Sequence, residues 1–275
     1  MPPPEIAALL AAATRLETPC GDGAMVWHAF GEAALPPLVL LHGGFGSFLH
    51  WARAIPLLAP RFRVLAADLP GLGDSAEAAA PCTAESLAAI VADGITRLVG
   101  AAPFLLAGFS FGGLIGGHVA AALGPQVLGF VFFGAGGLGL PRGEHRPLLQ
   151  WRALANRAEI EAVHAENLRR FMLHDPARVD EAAIWIQTEN TSRARTRSRP
   201  IAMTDTLARQ LPQIRAPMCG AWGDHDATAF PYLRQRRLLM RELGAAYAEI
   251  PDCGHWAPYE QPAAAVELIE AWSRR

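Results

Sequence analysis

Residues 105–113 read Leu-Leu-Ala-Gly-Phe-Ser-Phe-Gly-Gly, and the rest of the chain can be interpreted outward from them. The apolar run 104–107 predicts a buried strand, and the small residues that follow, up to Leu123, predict a helix. Gly-x-Ser-x-Gly between a strand and a helix is typical of a nucleophile elbow, a sharp turn that lifts the serine hydroxyl clear of the sheet. The glycines leave room where a side chain would collide with a neighbouring strand or helix. Ser110 is therefore the candidate nucleophile.

Apolar runs alternate with helical patterns on both sides of this turn. Strands are predicted at 14–19, 24–29, 38–41, 62–67, 127–133, 216–222 and 246–251, and helices at 4–14, 48–58, 83–99, 231–243 and 262–275. The alternation predicts an α/β fold with a mostly parallel, eight-stranded sheet and helices on both faces. No strand-like run occurs in 137–209, which predicts a helical insertion into a core made of 1–136 and 210–275.

The composition excludes several classes of protein. The chain has 275 residues, 51% of them hydrophobic, which is enough for a sizeable core. Its net charge of −2 predicts no nucleic-acid partner, and no apolar run approaches the ~20 residues that span a membrane. The N-terminus does not resemble a signal peptide, and the four cysteines lie far apart, so we expect free thiols and a cytoplasmic protein. A homo-oligomer is compatible with the sequence.

A serine hydroxyl is a poor nucleophile until an oriented base takes its proton. In a chain with the nucleophile first, the acid and the histidine are expected at the carboxyl ends of later strands. The predicted strand 216–222 runs into Gly223-Asp224-His225-Asp226, and the strand 246–251 runs into Gly254-His255-Trp256. His255 is therefore the candidate base, and Asp224 and Asp226 are the candidate acids.

Five motifs in this order resemble those of the α/β-hydrolase superfamily, and the resemblance extends from about residue 14 to residue 275. They are His42-Gly43-Gly44-Phe45-Gly46, Asp68-Leu-Pro-Gly-Leu-Gly-Asp-Ser75, Gly108-Phe109-Ser110-Phe111-Gly112, Trp222-Gly-Asp-His-Asp226 and Gly254-His255-Trp256. The resemblance implies that 137–209 is a helical cap and that Asp226, which closes a Gly-x-x-Asp turn, is the acid. Asp224 then stabilises the turn.

The resemblance also implies an oxyanion hole made of two backbone N–H groups. One is that of Phe111, and the other comes from residues 42–45, where the family pattern favours Gly44 and Phe45 is the alternative. His42 is expected to be a structural histidine that holds this loop. Asp68 and Asp74 are expected to be structural because their own loop is rich in turn residues.

A serine at the elbow argues against the dehalogenases and epoxide hydrolases of this superfamily, which carry a carboxylate there. Gly254-His255-Trp256 is similar to the histidine loop of the meta-cleavage-product hydrolases, which split carbon–carbon bonds of 2-hydroxy-6-oxo-dienoates and have a late cap arginine for the substrate's acidic end. Those enzymes usually have Asn before the nucleophile, where this chain has Phe109, which favours an apolar pocket. The candidate substrate-binding residues are Phe45, Phe109, Phe171, Arg195 and Trp256, with Arg193, Arg197 and Arg199 beside Arg195.

The sequence therefore predicts a serine hydrolase that acts on a small, largely apolar carbonyl substrate, either a carboxylic ester or a carbon–carbon bond beside a ketone. The alternatives are a cofactor-free perhydrolase or haloperoxidase-like enzyme, and a non-catalytic ligand receptor on the same scaffold. No cofactor and no metal are expected, because neither a His-x-x-x-His helix with a Glu nor a Cys/His cluster is present.

Overall fold

The computed structural model of the protein describes residues 1–144 and 146–273 and contains an eight-stranded sheet. Its strands are β1 (Thr14–Cys20), β2 (Gly23–Phe30), β3 (Pro37–Leu41), β4 (Arg63–Ala67), β5 (Phe104–Phe109), β6 (Val127–Phe133), β7 (Met218–Gly223) and β8 (Ala246–Ile250). They lie in the order β1-β2-β4-β3-β5-β6-β7-β8. The β1–β2 and β2–β4 pairs are antiparallel and all other pairs are parallel, which confirms the predicted sheet.

Helices cover both faces of the sheet. They are α1 (Pro4–Ala12), α2 (Ile55–Leu58), α3 (Ala84–Val99), α4 (Phe111–Leu123), α5 (Arg157–Asn167), α6 (Glu181–Arg193), α7 (Ser198–Ala202), α8 (Thr206–Gln210), α9 (Leu233–Glu242), α10 (Ala257–Glu260) and α11 (Pro262–Ser273). The last two residues of the predicted helix 262–275 lie outside the described residues. Among the described residues, no helix combines the length and the apolar character needed to span a membrane.

Strand β3 shows why the sheet needs helices on both sides. Leu38 and Leu40 pack in one apolar cluster with residues of α1, α2 and α11, whereas Val39 and Leu41 pack in the other with residues of α3 and α4. All four side chains are fully buried. Burial of each contributes about 1.5–3 kcal/mol, so a continuous apolar run is favoured over an alternating one.

The segment predicted as one helix, 48–58, differs in the structure. It forms a 3₁₀ turn at Phe48–Trp51 and then the short helix α2. Every residue of the 3₁₀ turn is buried, and Trp51 Nε1–H donates to the carbonyl of Leu41 at 3.2 Å. Contacts with β3, β4 and α10 hold this turn, and they override the helical pattern of the sequence.

The described part of the predicted insertion, 137–144 and 146–209, has helices and no strand, as expected from the sequence. Its π-helical turn, Leu168–Met172, follows α5 directly. Its last helix, α8, packs against α4 of the core. The side chain of Leu207 is fully buried there and would collide with any side chain placed at Gly117. The end of the insertion is therefore packed into the core.

The parallel strands bring three loops to the same edge of the sheet. Ser110 follows β5, Asp226 lies in the loop after β7, and His255 lies in the loop after β8. Because β5, β6, β7 and β8 run parallel, the carboxyl ends of these strands meet at one edge, which is where open α/β sheets bind ligands.

Candidate active site

The serine of the elbow lies on a strained turn. Ser110 has φ 52° and ψ −109°, and its N–H donates to the carbonyl of Phe133 at 2.8 Å. A Cβ added at Gly108 would lie 2.5 Å from the carbonyl oxygen of Gly112, and one added at Gly112 would collide with the carbonyl of Leu41. Both glycines are therefore required by close backbone contacts, and strained residues of this kind cluster at functional sites.

The structure brings Ser110, His255 and Asp226 together in one chain of hydrogen bonds. The Ser110 hydroxyl lies 3.0 Å from His255 Nε2, and His255 Nδ1 lies 2.9 and 3.0 Å from the two carboxylate oxygens of Asp226. An Nδ1–H that donates to the carboxylate leaves Nε2 as the acceptor for the serine proton. Both Asp226 and His255 are buried, whereas Ser110 is half-buried.

The surroundings of Asp226 keep it ionised. Burial by itself would raise the pKa of this carboxyl, but the charge and hydrogen bond of His255 and the bonds from Thr228 outweigh it, so the pKa is lowered. Thr228 donates both its N–H and its hydroxyl to Asp226 Oδ1, each at 2.8 Å. The sequence did not single out Thr228, although a hydroxyl two residues after a turn aspartate is a usual partner for it.

Asp224 has a different role from Asp226. Its carboxylate accepts a hydrogen bond from the N–H of Cys253 at 3.1 Å, and it is half-buried. It therefore connects the loop after β7 to the loop after β8, and it does not hydrogen-bond to the imidazole of His255.

The predicted oxyanion groups lie beside the elbow. Gly44 and Phe45 are half-exposed, and a Cβ added at Gly44 would lie 3.7 Å from the Cβ of Phe111. In the described part of the chain, no hydrogen bond uses the N–H of Gly44, Phe45 or Phe111. Phe45 has φ 55°, a further strained residue in this loop. These N–H groups are thus available to a developing negative charge.

His50 holds the loop 42–46, a role that the sequence did not reveal. Its Nδ1 accepts the N–H of Gly43 at 3.1 Å, and its ring packs so closely on Gly46 that a side chain there would collide with it. Burial, with the nearby charges of His42 and His255, holds the pKa of His50 well below its usual value. A neutral ring is what this acceptor role requires.

Phe109 and Trp256, predicted to contact substrate, pack against the rings of His255 and His50. Both are fully buried. The Phe109 ring packs 5.1 Å from the ring of His255, and Trp256 Nε1–H donates to the carbonyl of His50 at 2.8 Å. The structure therefore gives them a packing role. A position next to a candidate catalytic residue in sequence does not decide whether an aromatic side chain lies in the core or in a pocket.

Phe171, Phe45 and Arg195 lie nearer to open space. Phe171, in the π-helical turn, places its ring 5.5 Å from that of His255. A cavity of about 590 Å³ is lined by Phe45, Ala194, Thr196, Pro200 and the arginines at 152, 195, 197 and 199. Arg195 is exposed and donates to the carbonyls of Ser75 and Arg193, so its guanidinium is already engaged by backbone. The cavity has a cationic lining.

The loops that follow β3 and β4 have buried polar side chains with structural contacts. His42 Nδ1–H donates to the carbonyl of Gly43 at 2.7 Å, and its Nε2 accepts the N–H of Leu69 at 2.9 Å. Asp68 accepts from the N–H groups of Phe48 and Asp74 at 2.8 and 3.0 Å. These bonds fix the two loops against each other.

We expect Asp68→Asn to lower the free energy of unfolding at pH 7 by about 1–3 kcal/mol. The amide has only one acceptor oxygen, so one buried N–H group loses its acceptor and faces the NH₂ group instead. Burial alone would raise the pKa of Asp68, but the hydrogen bond and charge of His28 and further contacts lower it. The carboxylate therefore contributes stability that is present above the unfolded Asp pKa of about 3.9 and is lost as the pH falls through the lower folded value.

Urea denaturation of the wild type and of the Asp68 variant at pH 7 and at pH 3 measures this effect, and the difference between the two proteins should shrink at pH 3. The control is Asp74→Asn, which removes an exposed carboxylate of the same loop that forms surface ion pairs with Arg15 and Arg193. Its effect should stay within about 0.5 kcal/mol. Equal losses in both variants would contradict the prediction.

Two groups of side chains lie close enough to be compared with metal sites. They are His28, Asp68 and Asp74, and Asp224, His225 and Asp252; within each group the ligand atoms lie within 4.8 Å of one another. The oxygens of Asp68 already accept backbone N–H groups, and Asp224 accepts that of Cys253. These bonds occupy one carboxylate of each group, and the absence of a metal stays a prediction.

A mostly parallel sheet with a strained serine elbow after β5 and an Asp–His pair after β7 and β8 defines the α/β-hydrolase class. The sequence model of the alpha/beta hydrolase family matches residues 38–268, and the chain belongs to that family.

Proteins that are similar in sequence include a synthase and a hydrolase. A 2-succinyl-6-hydroxy-2,4-cyclohexadiene-1-carboxylate synthase of Serratia proteamaculans is 29% identical over 251 residues, which cover 86% of this chain and 93% of that protein. A 2-hydroxy-6-oxo-6-(2'-aminophenyl)hexa-2,4-dienoic acid hydrolase of Metapseudomonas resinovorans is 24% identical over 82% of this chain and 80% of its own. Among solved structures, the esterase RhEst1 of Rhodococcus sp. superposes with a TM-score of 0.74 at 22% identity, covering 94% of this chain and 98% of that one.

Proposed function

We propose that this protein is a serine hydrolase that cleaves a small, largely apolar carbonyl substrate, either a carboxylic ester or a carbon–carbon bond beside a ketone. The observation that carries the proposal is the continuous hydrogen-bonded chain Ser110–His255–Asp226, with distances of 3.0 Å and 2.9 Å. This geometry lets an imidazole accept the serine proton while a buried carboxylate holds its other nitrogen.

In the proposed reaction with an ester, Ser110 Oγ attacks the carbonyl carbon and its proton passes to His255 Nε2. The negative charge that develops on the carbonyl oxygen is stabilised by the N–H groups of Phe111 and Gly44. His255 then gives the proton to the leaving alcohol, and an acyl-enzyme forms. Water, deprotonated by His255, releases the acid and restores Ser110. For a carbon–carbon bond, the leaving group is a carbanion protonated in the same position.

The apolar part of the substrate is supported by two aromatic rings near the site, although the cavity that Phe45 lines also contains four arginines. Phe45 lies next to a candidate oxyanion donor, and Phe171 packs near the base. The names of relatives support both halves of the proposal. They include a dienoic acid hydrolase and a pimeloyl-[acyl-carrier protein] methyl ester esterase of Vibrio campbellii, the latter 37% identical over 94 residues, or 34% of each chain.

We expect a fluorophosphonate probe to label Ser110 alone, because among the serines that the structure describes only Ser110 has its hydroxyl hydrogen-bonded to a histidine. Ser192 is the internal control, since it is more exposed but donates its hydroxyl to the carbonyl of Glu189. Peptide mass spectrometry after labelling identifies the modified serine. Equal labelling of Ser192, or none of Ser110, would contradict an activated nucleophile.

A substrate panel of p-nitrophenyl esters with acyl chains of increasing length and a 2-hydroxy-6-oxo-dienoate separates the two halves of the proposal. Turnover of either class supports the hydrolase, and the class that is turned over identifies the bond. Binding of a panel member without turnover would favour the receptor alternative. Peroxide-dependent halogenation with no hydrolysis would favour the perhydrolase or haloperoxidase alternative.

A further inference from the structure

A buried carboxylate lies close to the candidate base without touching its ring. Glu260, the last residue of α10, is 1% exposed. Its Oε2 accepts the N–H of Gly254, the residue before His255, at 2.7 Å. Its Oε1 accepts the N–H groups of His174 and Asp175 at 2.7 and 2.6 Å. One carboxylate thus binds the histidine loop and the inserted segment at the same time.

The inserted segment also contacts the other side of the base. The N–H of Trp256, the residue after His255, donates to the carbonyl of Met172 at 2.8 Å. A Cβ added at Gly254 would lie 2.8 Å from the backbone nitrogen of His174 and 2.9 Å from the Met172 carbonyl oxygen. Both chain neighbours of His255 are therefore bound, directly or through a carboxylate, to the insertion.

A carboxylate is a costly choice for this position. Burial raises the pKa of Glu260, although its three N–H bonds and the charge of His174 act in the opposite direction. Within residues 1–144 and 146–273, no Lys or Arg forms an ion pair with it. An apolar side chain would fill the same volume at less cost, but it could not accept three N–H groups from two segments.

We propose that Glu260 is a positioning residue for His255, which fixes the histidine loop to the inserted segment so that the imidazole reaches both of its partners. This inference rests on the proposed function. The imidazole must stay 3.0 Å from Ser110 and 2.9 Å from Asp226 at once. A displacement of the loop lengthens at least one of these bonds, and a misplacement of ~1 Å can cost about 100-fold in rate.

The test is Glu260→Gln, which keeps the size of the side chain and removes one acceptor. If the amide oxygen stays with His174 and Asp175, the NH₂ faces the N–H of Gly254, and two donors oppose each other. We expect kcat for p-nitrophenyl acetate to fall by about 10- to 100-fold while KM changes by less than about threefold. We also expect the low-field NMR resonance of the His255 Nδ1 proton to shift or broaden.

The matched control is Asp180→Asn. Asp180 also connects the insertion to the core, because it accepts the hydroxyl of Tyr259 at 2.6 Å and pairs with Arg53, but it does not contact the histidine loop. It should lower the melting temperature without moving the His255 resonance, and kcat should stay within about twofold. Glu260→Asp serves as the second variant should the glutamine variant not fold. It keeps the charge but shortens the reach, and we expect kcat to fall and the resonance to shift.

Wild-type kcat with an unmoved resonance in the folded Glu260 variants would overturn the inference, and so would an equal loss of kcat in the Asp180 variant. Ser110→Ala is measured in parallel. Wild-type turnover no greater than that of Ser110→Ala would remove the proposed function, and the His255 resonance alone would then decide whether Glu260 positions the imidazole. The two failures are therefore distinguishable.

Discussion

Ser110→Ala is expected to lower kcat for p-nitrophenyl ester hydrolysis by about 10⁴- to 10⁶-fold. The hydroxyl is the atom that would attack the carbonyl, and neither His255 nor the N–H groups near it can replace it as a nucleophile. Binding should persist, because the aromatic residues and the backbone donors remain. KM should therefore change little, and kcat measured with purified enzyme at substrate saturation is the informative quantity.

The fold should tolerate this change. Alanine and serine have similar difficulty with the φ of 52° at the elbow, and the backbone bond from Ser110 N–H to Phe133 is kept. The free energy of unfolding should thus change by less than about 1 kcal/mol. Ser192→Ala, on the exposed side of α6, is the matched control and should leave kcat unchanged. A Ser110→Ala enzyme with kcat within tenfold of the wild type would rule out this serine as the nucleophile.

The elbow could be predicted from sequence because its backbone leaves a local trace. Gly108 and Gly112 are required by carbonyl groups that lie where a Cβ would be, and a strand and a helix flank them within a few residues. Asp226 and His255 could be predicted because each lies shortly after a strand. The direction of a parallel strand fixes the edge at which its loop emerges, so chain order alone indicates that these groups share an edge.

The groups that support the hydrogen-bonded chain of Ser110, His255 and Asp226 could not be predicted in the same way. Glu260 contacts residues that are 85 and 86 positions away, and His50 contacts Trp256 across 206 positions. No periodicity or turn signal connects segments so far apart. From sequence alone, a glutamate such as Glu260 is expected on the exposed face of a helix. In the structure it is buried, because residues 174 and 175 pack over it.

The side chains that line open space near the site are the least predictable from sequence. Phe109 and Trp256 are next to candidate catalytic residues in sequence, yet both are fully buried. The arginine run shows the sign of the local charge but not the direction of each side chain. Arg195, Arg197 and Arg199 all line the cavity. The guanidinium of Arg195 also donates to backbone carbonyls. Side-chain direction in an irregular segment depends on tertiary contacts that the sequence pattern does not encode.

Asp226→Asn is expected to lower kcat by about 10⁴-fold with little change in KM. Thr228 donates two hydrogen bonds to Oδ1, so the amide oxygen of the variant should stay with Thr228 and its NH₂ should face His255 Nδ1. Nδ1 then becomes an acceptor, the proton moves to Nε2, and the imidazole presents N–H to Ser110. A ring in that tautomer cannot take the serine proton.

Asp224→Asn is the matched control for this variant, because it changes the same functional group two residues away in the same loop. Its remaining oxygen can still accept the N–H of Cys253, and it does not contact the imidazole, so kcat should stay within about threefold. The comparison needs kcat and KM for both variants and the low-field resonance of the His255 Nδ1 proton, which only Asp226→Asn should abolish. A larger loss in Asp224→Asn than in Asp226→Asn would assign the acid to Asp224, and the hydrogen bond from His255 to Asp226 would then have no part in the reaction.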